Sequence, residues 1–302
     1  MPISSEIRRI QVAGKSTYTV SLPKDWIRKL SLKQGDLLLV TVRKDNALIV
    51  EPQHLIEKKQ AREVNILLSP ESESQIRNII ISNYVLGYDI MNITPKLGSI
   101  SAELEKNIMD TARSLIGLEL TYGDKKKIVL CTVLRSLNLQ MKKIIERIHH
   151  VTLTMHEEIL QEFGKRDAER LKRIVVTDDE VDRLYLLTVR ELVRAVRDPD
   201  VAEDMGITIP TYCLAFMTTA KTLERIADII TDIARELIQL KDTPIPNEAL
   251  SLLIEFCELS IEMHRDSMRA VLDMDLNLAD KVIMKMKRIG GITFALTKLE
   301  PH

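Results

Sequence analysis

Apolar and polar positions alternate with a period of two through the first 52 residues, and this pattern predicts strands. IRRIQV leads into a turn at Gly14, Lys15 and Ser16. In TYTVSL, Tyr18, Val20 and Leu22 then alternate with small polar residues. Pro23 opens KDWIRKL, about two helical turns carrying Trp26, Ile27 and Leu30. After a turn at 33–36, LLLVTV and ALIVEP form a second hairpin around Lys44, Asp45 and Asn46. Residues 53–133 mix periods. VNILL reads as a strand, and Ser69, Pro70 and Glu71 open a helix over ESESQIRNIIISNYVLGYDI. A second helix covers 101–115, and two strands, LELTY and KKIVLCTVL, are split by Gly123 and Asp124. This segment is expected to be a small α+β unit of unknown role. From residue 134 to 302 the period is helical, with breaks at 164–166, 198–210, 242–246 and 274–276, which predicts about five long helices in an antiparallel bundle.

With 302 residues the chain exceeds what one core usually organises, and three units follow: 1–52, 53–133 and 134–302. An apolar share of 45% with 29% charge excludes a disordered chain, and an aromatic share of only 4% suits packed helices. The net charge of −1 hides an asymmetry. Residues 1–52 hold nine Lys or Arg against five Asp or Glu, so that end carries +4 and the remainder −5. The basic end suits a polyanion. Cys131, Cys213 and Cys257 are odd in number and widely spaced, which argues against a disulfide framework. The most apolar stretch, NIIISNYVLGYDIMNI, is broken by Asn83, Asp89 and Asn92, so a soluble, cytoplasmic protein is expected. No phosphate loop, nucleophile elbow or nucleophile–base pair stands at motif spacing, and no enzymatic activity is expected. His149, His150, His156 and His264 are not at zinc-motif spacings and receive no role.

Two hairpins and a short helix within about 50 residues cannot bury enough apolar surface alone, and a partner chain would supply the rest. The run RRIQVAGKSTYTVSLPKDWIRKLSLKQGDLLLV resembles the AbrB-like (SpoVT/AbrB, MazE-like) swapped-hairpin domain, in which two copies interleave into one β-barrel. The resemblance implies a homodimer that lays basic residues of its first hairpin and adjacent loop on DNA. By position those are Arg8, Arg9, Lys15 and Lys24, neutralising phosphates. The alternative is that they are ordinary solvated charges on a barrel used only for dimerisation.

The bundle carries misplaced acids. In LKRIVVTDDEVDRLYLLTVRELVRAV, the residues Leu171, Ile174, Val175, Val181, Tyr185, Val189, Leu192, Val193 and Val196 make one stripe, with Asp178 and Asp182 at its centre. Carboxylates one turn apart on a buried face need a cation or basic partners. A capping box of Thr177 and Glu180 competes for Asp178 by making it a first-turn residue, and leaves Asp182 unexplained. In TLERIADIITDIARELIQL, Glu224, Asp228 and Asp232 stand four apart, and a solvated face balanced by Arg225 and Arg235 competes with a metal.

LERIADIITDIAREL and TDDEVDRL are similar to the signature segments of the PhoU family. That resemblance covers 134–290 and implies three-helix repeats whose acidic motifs bind multinuclear metal clusters. Its ligands would be Asp178, Asp182, Glu224 and Asp228, with Asp232 extending the row. Such all-oxygen ligands suit Mg, Mn, Fe or, less decisively, Zn. One repeat looks complete, whereas 247–302 looks like a partial second. Joined to an AbrB-like N-terminus, it is similar to archaeal-type PhoU-related regulators. The two resemblances together imply phosphate-linked transcriptional regulation with DNA as partner. The rival is an adaptor for a phosphate transporter's ATPase subunit or a signalling kinase.

Overall fold

The computed structural model describes residues 6–14, 16–42, 46–53, 61–133 and 140–299. The chain divides into two compact units, Met1–Ala61 and Arg62–His302. The first holds two antiparallel hairpins: β1 (Gln11–Ala13) with β2 (Thr17–Thr19), and β3 (Leu38–Val42) with β4 (Leu48–Pro52). Helix α1 (Lys24–Lys29) lies between them in sequence, entered through Pro23, whose fixed φ suits that position. Asp36 accepts from the Lys33 amide at 2.7 Å and closes the next turn, where Gly35 takes φ +97°. Strand β1 is shorter than IRRIQV, so Arg8 and Arg9 precede it. Among the described residues of the first unit only Leu32 and Pro52 are buried. Val12, Tyr18, Val20, Leu39, Val40 and Val42 are all exposed.

The second unit begins with strand β5 (Glu63–Leu68), a 3₁₀ turn (Pro70–Gln75) capped by Ser69 and Ser72, and helix α2 (Ile76–Val85). Strand β6 (Ile90–Pro95), helix α3 (Ala102–Arg113) and strands β7 (Leu118–Gly123) and β8 (Ile128–Thr132) follow. The sheet runs β5-β6-β8-β7, with β5 and β6 parallel and the other pairs antiparallel. Ile66, Leu68, Met91, Ile93, Ile128 and Leu130 form its buried share of the core, against Ile76, Ile80, Tyr84, Leu104 and Ile108 of the helices. The α+β expectation holds, but YDIMNI is strand β6 and not the end of a helix. Gly87 at φ +76° ends the preceding helix. Strand β6 is central, with Met91, Asn92 and Ile93 all buried, so it lacks the alternation that marks a one-sided strand.

The five long helices are α4 (Met141–Lys165), α5 (Ala168–Arg197), α7 (Tyr212–Gln239), α8 (Asn247–Asp273) and α9 (Leu276–Thr297). A short α6 (Pro199–Asp204) occupies the break expected at 198–210, with Asp198 as its cap. Helices α4, α5 and α7 pack mutually, α8 packs on α4, and α9 packs on α8. At the α4–α5 corner Arg166 is left-handed and Asp167 caps α5 by accepting from the amides of Glu169 and Arg170. Buried Glu162 accepts from the Asp167 amide at 2.9 Å and meets Arg170 at 3.5 Å. The expected Thr177–Glu180 capping box is therefore absent. Thr177 is a mid-helix residue whose hydroxyl donates to the Arg173 carbonyl. Val196, placed on the buried stripe, is 68% exposed, although the adjacent Ala195 belongs to the core.

Helix α5 also enters the α+β segment, so 62–133 and the bundle share one unit. Leu186 packs on the sheet's core, and Arg190 is fully buried. Its guanidinium donates to the carbonyls of Tyr84 and Tyr88 at 2.7 Å each and to Asp89 at 2.9 Å. It therefore meets the carbonyl end of α2, where the helix dipole favours a cation.

Candidate metal centre

Helices α5 and α7 pack side by side and bring the acidic motifs together. Carboxylate oxygens of Asp182, Glu224 and Asp228 all lie within 4.8 Å of one another. Asp178 stands one turn from Asp182 on α5, and one of its oxygens is buried with no hydrogen-bond partner. Burial pushes the Asp178 carboxyl up to about 6, and Asp182 and Asp228 push the same way, against a hydroxyl contact from Thr231. Asp182 is exposed, so the buried stripe expected around it does not hold at that position; partial desolvation still raises its pKa, followed by the charges of Asp228 and Glu224. Among the described residues none of Asp178, Asp182 and Asp228 has an ion-pair partner.

The other two acids are already balanced. Buried Glu224 receives Lys221 Nζ on both oxygens, at 2.5 and 2.6 Å, and that pairing raises the lysine's pKa. Lys221 also sits 5.2 Å from the centroid of the Tyr185 ring. Asp232 is exposed, pairs with Arg235 at 2.9 Å and lies outside the group of three. The solvated-face account thus fits Asp232 and not Glu224. Hard carboxylate oxygens, crowded until two of them resist ionisation and one stays orphaned, are a donor set that fits a di- or trivalent cation. Asp182, Glu224 and Asp228 would hold it, Glu224 once released from Lys221, while Asp178, one turn away on α5, lies outside the group of three.

Sequence reasoning missed Lys221, although its i, i+3 spacing to Glu224 marks a helical pair. It also gave no role to the histidines. His149 Nδ1 lies 3.3 Å from His264 Nε2, and His156 Nε2 lies 3.0 Å from Ser260 Oγ, joining α4 to α8. Burial holds His156 down at about 4 and His264 at about 3, so the cluster is neutral packing between helices.

Of the expected DNA contacts, Arg8 and Arg9 are exposed ahead of β1 and Lys24 is exposed at the first position of α1. Arg8 is paired with Glu6. Lys15 lies outside the described residues. Among the described residues no helix is long and apolar enough to cross a membrane.

Comparison with known families gives two matches. Residues 145–237, spanning α4, α5 and most of α7, match the PhoU domain, and residues 11–58 match "Antidote-toxin recognition MazE, bacterial antitoxin". No curated protein and no solved structure matches the chain. The acidic helices α5 and α7 fall inside the first match and both hairpins inside the second, so the chain joins an N-terminal MazE/AbrB-like segment to a helical PhoU domain.

Proposed function

We propose that this chain is a phosphate-linked transcriptional regulator. Two copies pair through residues 1–52 into a barrel that binds DNA by Arg8, Arg9, Lys15 and Lys24. The PhoU domain senses or relays phosphate or metal status through the carboxylates of α5 and α7. The observation that carries the reading is the joining, in one chain, of a DNA-binding type of segment and a phosphate-related domain. The exposed apolar residues on both hairpins support pairing, because strands that bury almost nothing within one chain are stable only against another. The convergence of the Asp182, Glu224 and Asp228 carboxylates supports a cation, whose binding would draw α5 and α7 together and bias the bundle between two arrangements.

The test is a gel-shift titration across salt with the full chain. Replacing Arg8, Arg9 and Lys15 by Ala removes affinity and flattens the salt dependence, because each phosphate contact releases condensed counter-ions. Binding and slope equal to wild type would refute the DNA assignment. The pairing of Arg8 with Glu6 favours a second reading, in which the barrel is only a dimer clamp. The bundle is then an adaptor for a phosphate transporter's ATPase subunit or a signalling kinase. Under it, the full chain fails to shift DNA and co-purifies with such a partner.

A further inference from the structure

Helix α9 rests on α8 through Val282 and Ile292, its two buried apolar residues. Lys285 reaches Glu262 and Asp266 at 2.8 Å, and Arg288 reaches Glu255 at 2.7 Å, so ion pairs fix the helix's rotation. That rotation turns a second seam outward. Leu276, Ala279, Ile283, Met286, Gly290 and Thr293 recur at alternating spacings of three and four, the repeat by which one helix faces another. Leu276 is 81% exposed, and Ile283 and Met286 are each 61% exposed. Gly290 and its neighbour Gly291 sit in mid-helix with nothing within 4 Å of where a Cβ would stand, so no contact inside the chain calls for them. Glycine there destabilises the helix relative to alanine and leaves a notch.

We propose that this seam docks against the same seam of a second copy of the chain, with the two helices antiparallel. The pattern is self-complementary in that direction. Its N-terminal half is bulky (Leu276, Ile283, Met286) and its C-terminal half small (Gly290, Thr293). Aligning Ile283 with the other copy's Met286 sets Ala279 over Gly290 and Leu276 over Thr293. Charge agrees. Asp280 and Lys287 flank the seam on its solvent side, both exposed and without an ion-pair partner among the described residues. In the antiparallel arrangement each Asp280 meets the Lys287 of the other copy, twice by symmetry. A parallel arrangement would stack bulk on bulk and would bring this flank against the one that Val282 and Ile289 turn toward α8. The contact is separate from pairing of the N-terminal unit and stands or falls without it.

Cross-linking of the full chain tests it. Around the midpoint between 283 and 286, the two copies of residue 283 are offset by about 4 to 5 Å along the axes, and the two copies of residue 276 by about 26 Å. Ile283→Cys is expected to give an intermolecular adduct with a short bis-maleimide, above the background from the native cysteines, and Leu276→Cys is not. Asp280→Lys in the Ile283→Cys chain should lower the yield several-fold by facing lysine with lysine. Asp280→Lys with Lys287→Asp should restore it. All these positions are exposed, so the variants fold. An adduct no stronger than background, a yield indifferent to Asp280→Lys, failure of the double swap to restore it, or equal linking at 276 would each overturn the proposal.

Discussion

Helix α5 carries ionised side chains into packed surroundings at two places about 18 Å apart, given a rise of 1.5 Å per residue, and the two are solved in opposite ways. At Arg190 the guanidinium donates to two carbonyls and to Asp89 and stands 3.6 Å from the Glu191 carboxylate, so the protein supplies the counter-charge itself, although the Arg190 Nε makes no hydrogen bond. At Asp178 and Asp182 the neighbouring groups are further carboxylates, and one oxygen is left orphaned. A buried charge satisfied within the chain is architecture. A partly exposed cluster of charges that repel one another marks a place where something from outside can complete the set.

The largest effect should come from breaking the satisfied end. Arg190→Met removes the cation shared by Tyr84, Tyr88 and Asp89, and breaking a buried pair from one side costs about 3 to 5 kcal/mol. Denaturant unfolding of the full chain would show it as a lowered midpoint. Adding Asp89→Asn should return part of the loss, because Asp89 is then neutral and its side-chain oxygen still accepts from the Arg62 amide, while the other buried acid, Glu191, keeps Arg194 at 2.6 Å. Arg190→Met with wild-type stability would make the anchor dispensable and dissolve the contrast.

The acidic end should behave in reverse. Asp182→Asn with Asp228→Asn relieves repulsion, so without metal the variant should be at least as stable as wild type. Added Mn²⁺ or Mg²⁺ should separate them. An ion free at 100 times its Kd stabilises wild type by about 2.7 kcal/mol and leaves the double variant unmoved. Thermal melts with and without the ion, together with elemental analysis of both proteins, read this directly. Equal metal content would rule the site out. Asp232→Asn, which touches only the surface pair with Arg235, should change metal content in neither direction.

How much of this was legible in the sequence follows from what each residue's partners are. Helices α4, α5, α7, α8 and α9 could be read because their period is long and their breaks carry residues such as Pro210 and Pro246. Both N-terminal hairpins could be read because alternation and turn residues coincide. Strand β6 could not, because a strand buried on both faces presents a continuous apolar run that also fits a helix. The acids were legible as a row one turn apart. Which of them are balanced was not, since that depends on rotamers: Lys221 and Arg235 are equally exposed, but one pairs with the buried Glu224 and the other with the exposed Asp232. Arg190 escaped notice because its partners Tyr84, Tyr88 and Asp89 lie about 100 positions earlier in the chain.

The subtlest consequence is the pH dependence of the metal-free protein. Asp178 binds its proton more tightly in the folded chain, at about 6 against the usual 3.8, so between those values the folded state holds more protons than the unfolded one. Stability contributed by this group is then fully present below about pH 4 and is lost as pH rises through about 6. His156 and His264 oppose it: their folded values of about 4 and about 3 lie below the usual 6.5, so their contribution is present above about pH 6.5 and lost as pH falls. The two histidines outweigh the single carboxyl, so the net contribution of these three groups rises with pH in this window, and the informative quantity is the difference between wild type and Asp178→Asn. That difference isolates the carboxylate, because the histidines are common to both proteins. Asp178→Asn should gain relative to wild type as pH is raised from about 4 to about 7 in the presence of a chelator. Saturating metal should cancel or reverse the gain, since the cation then favours the ionised form that the variant lacks. A difference that stays flat with pH under chelation would mean that Asp178 ionises as freely as a surface acid, and the contrast between the two ends of α5 would lose its electrostatic basis.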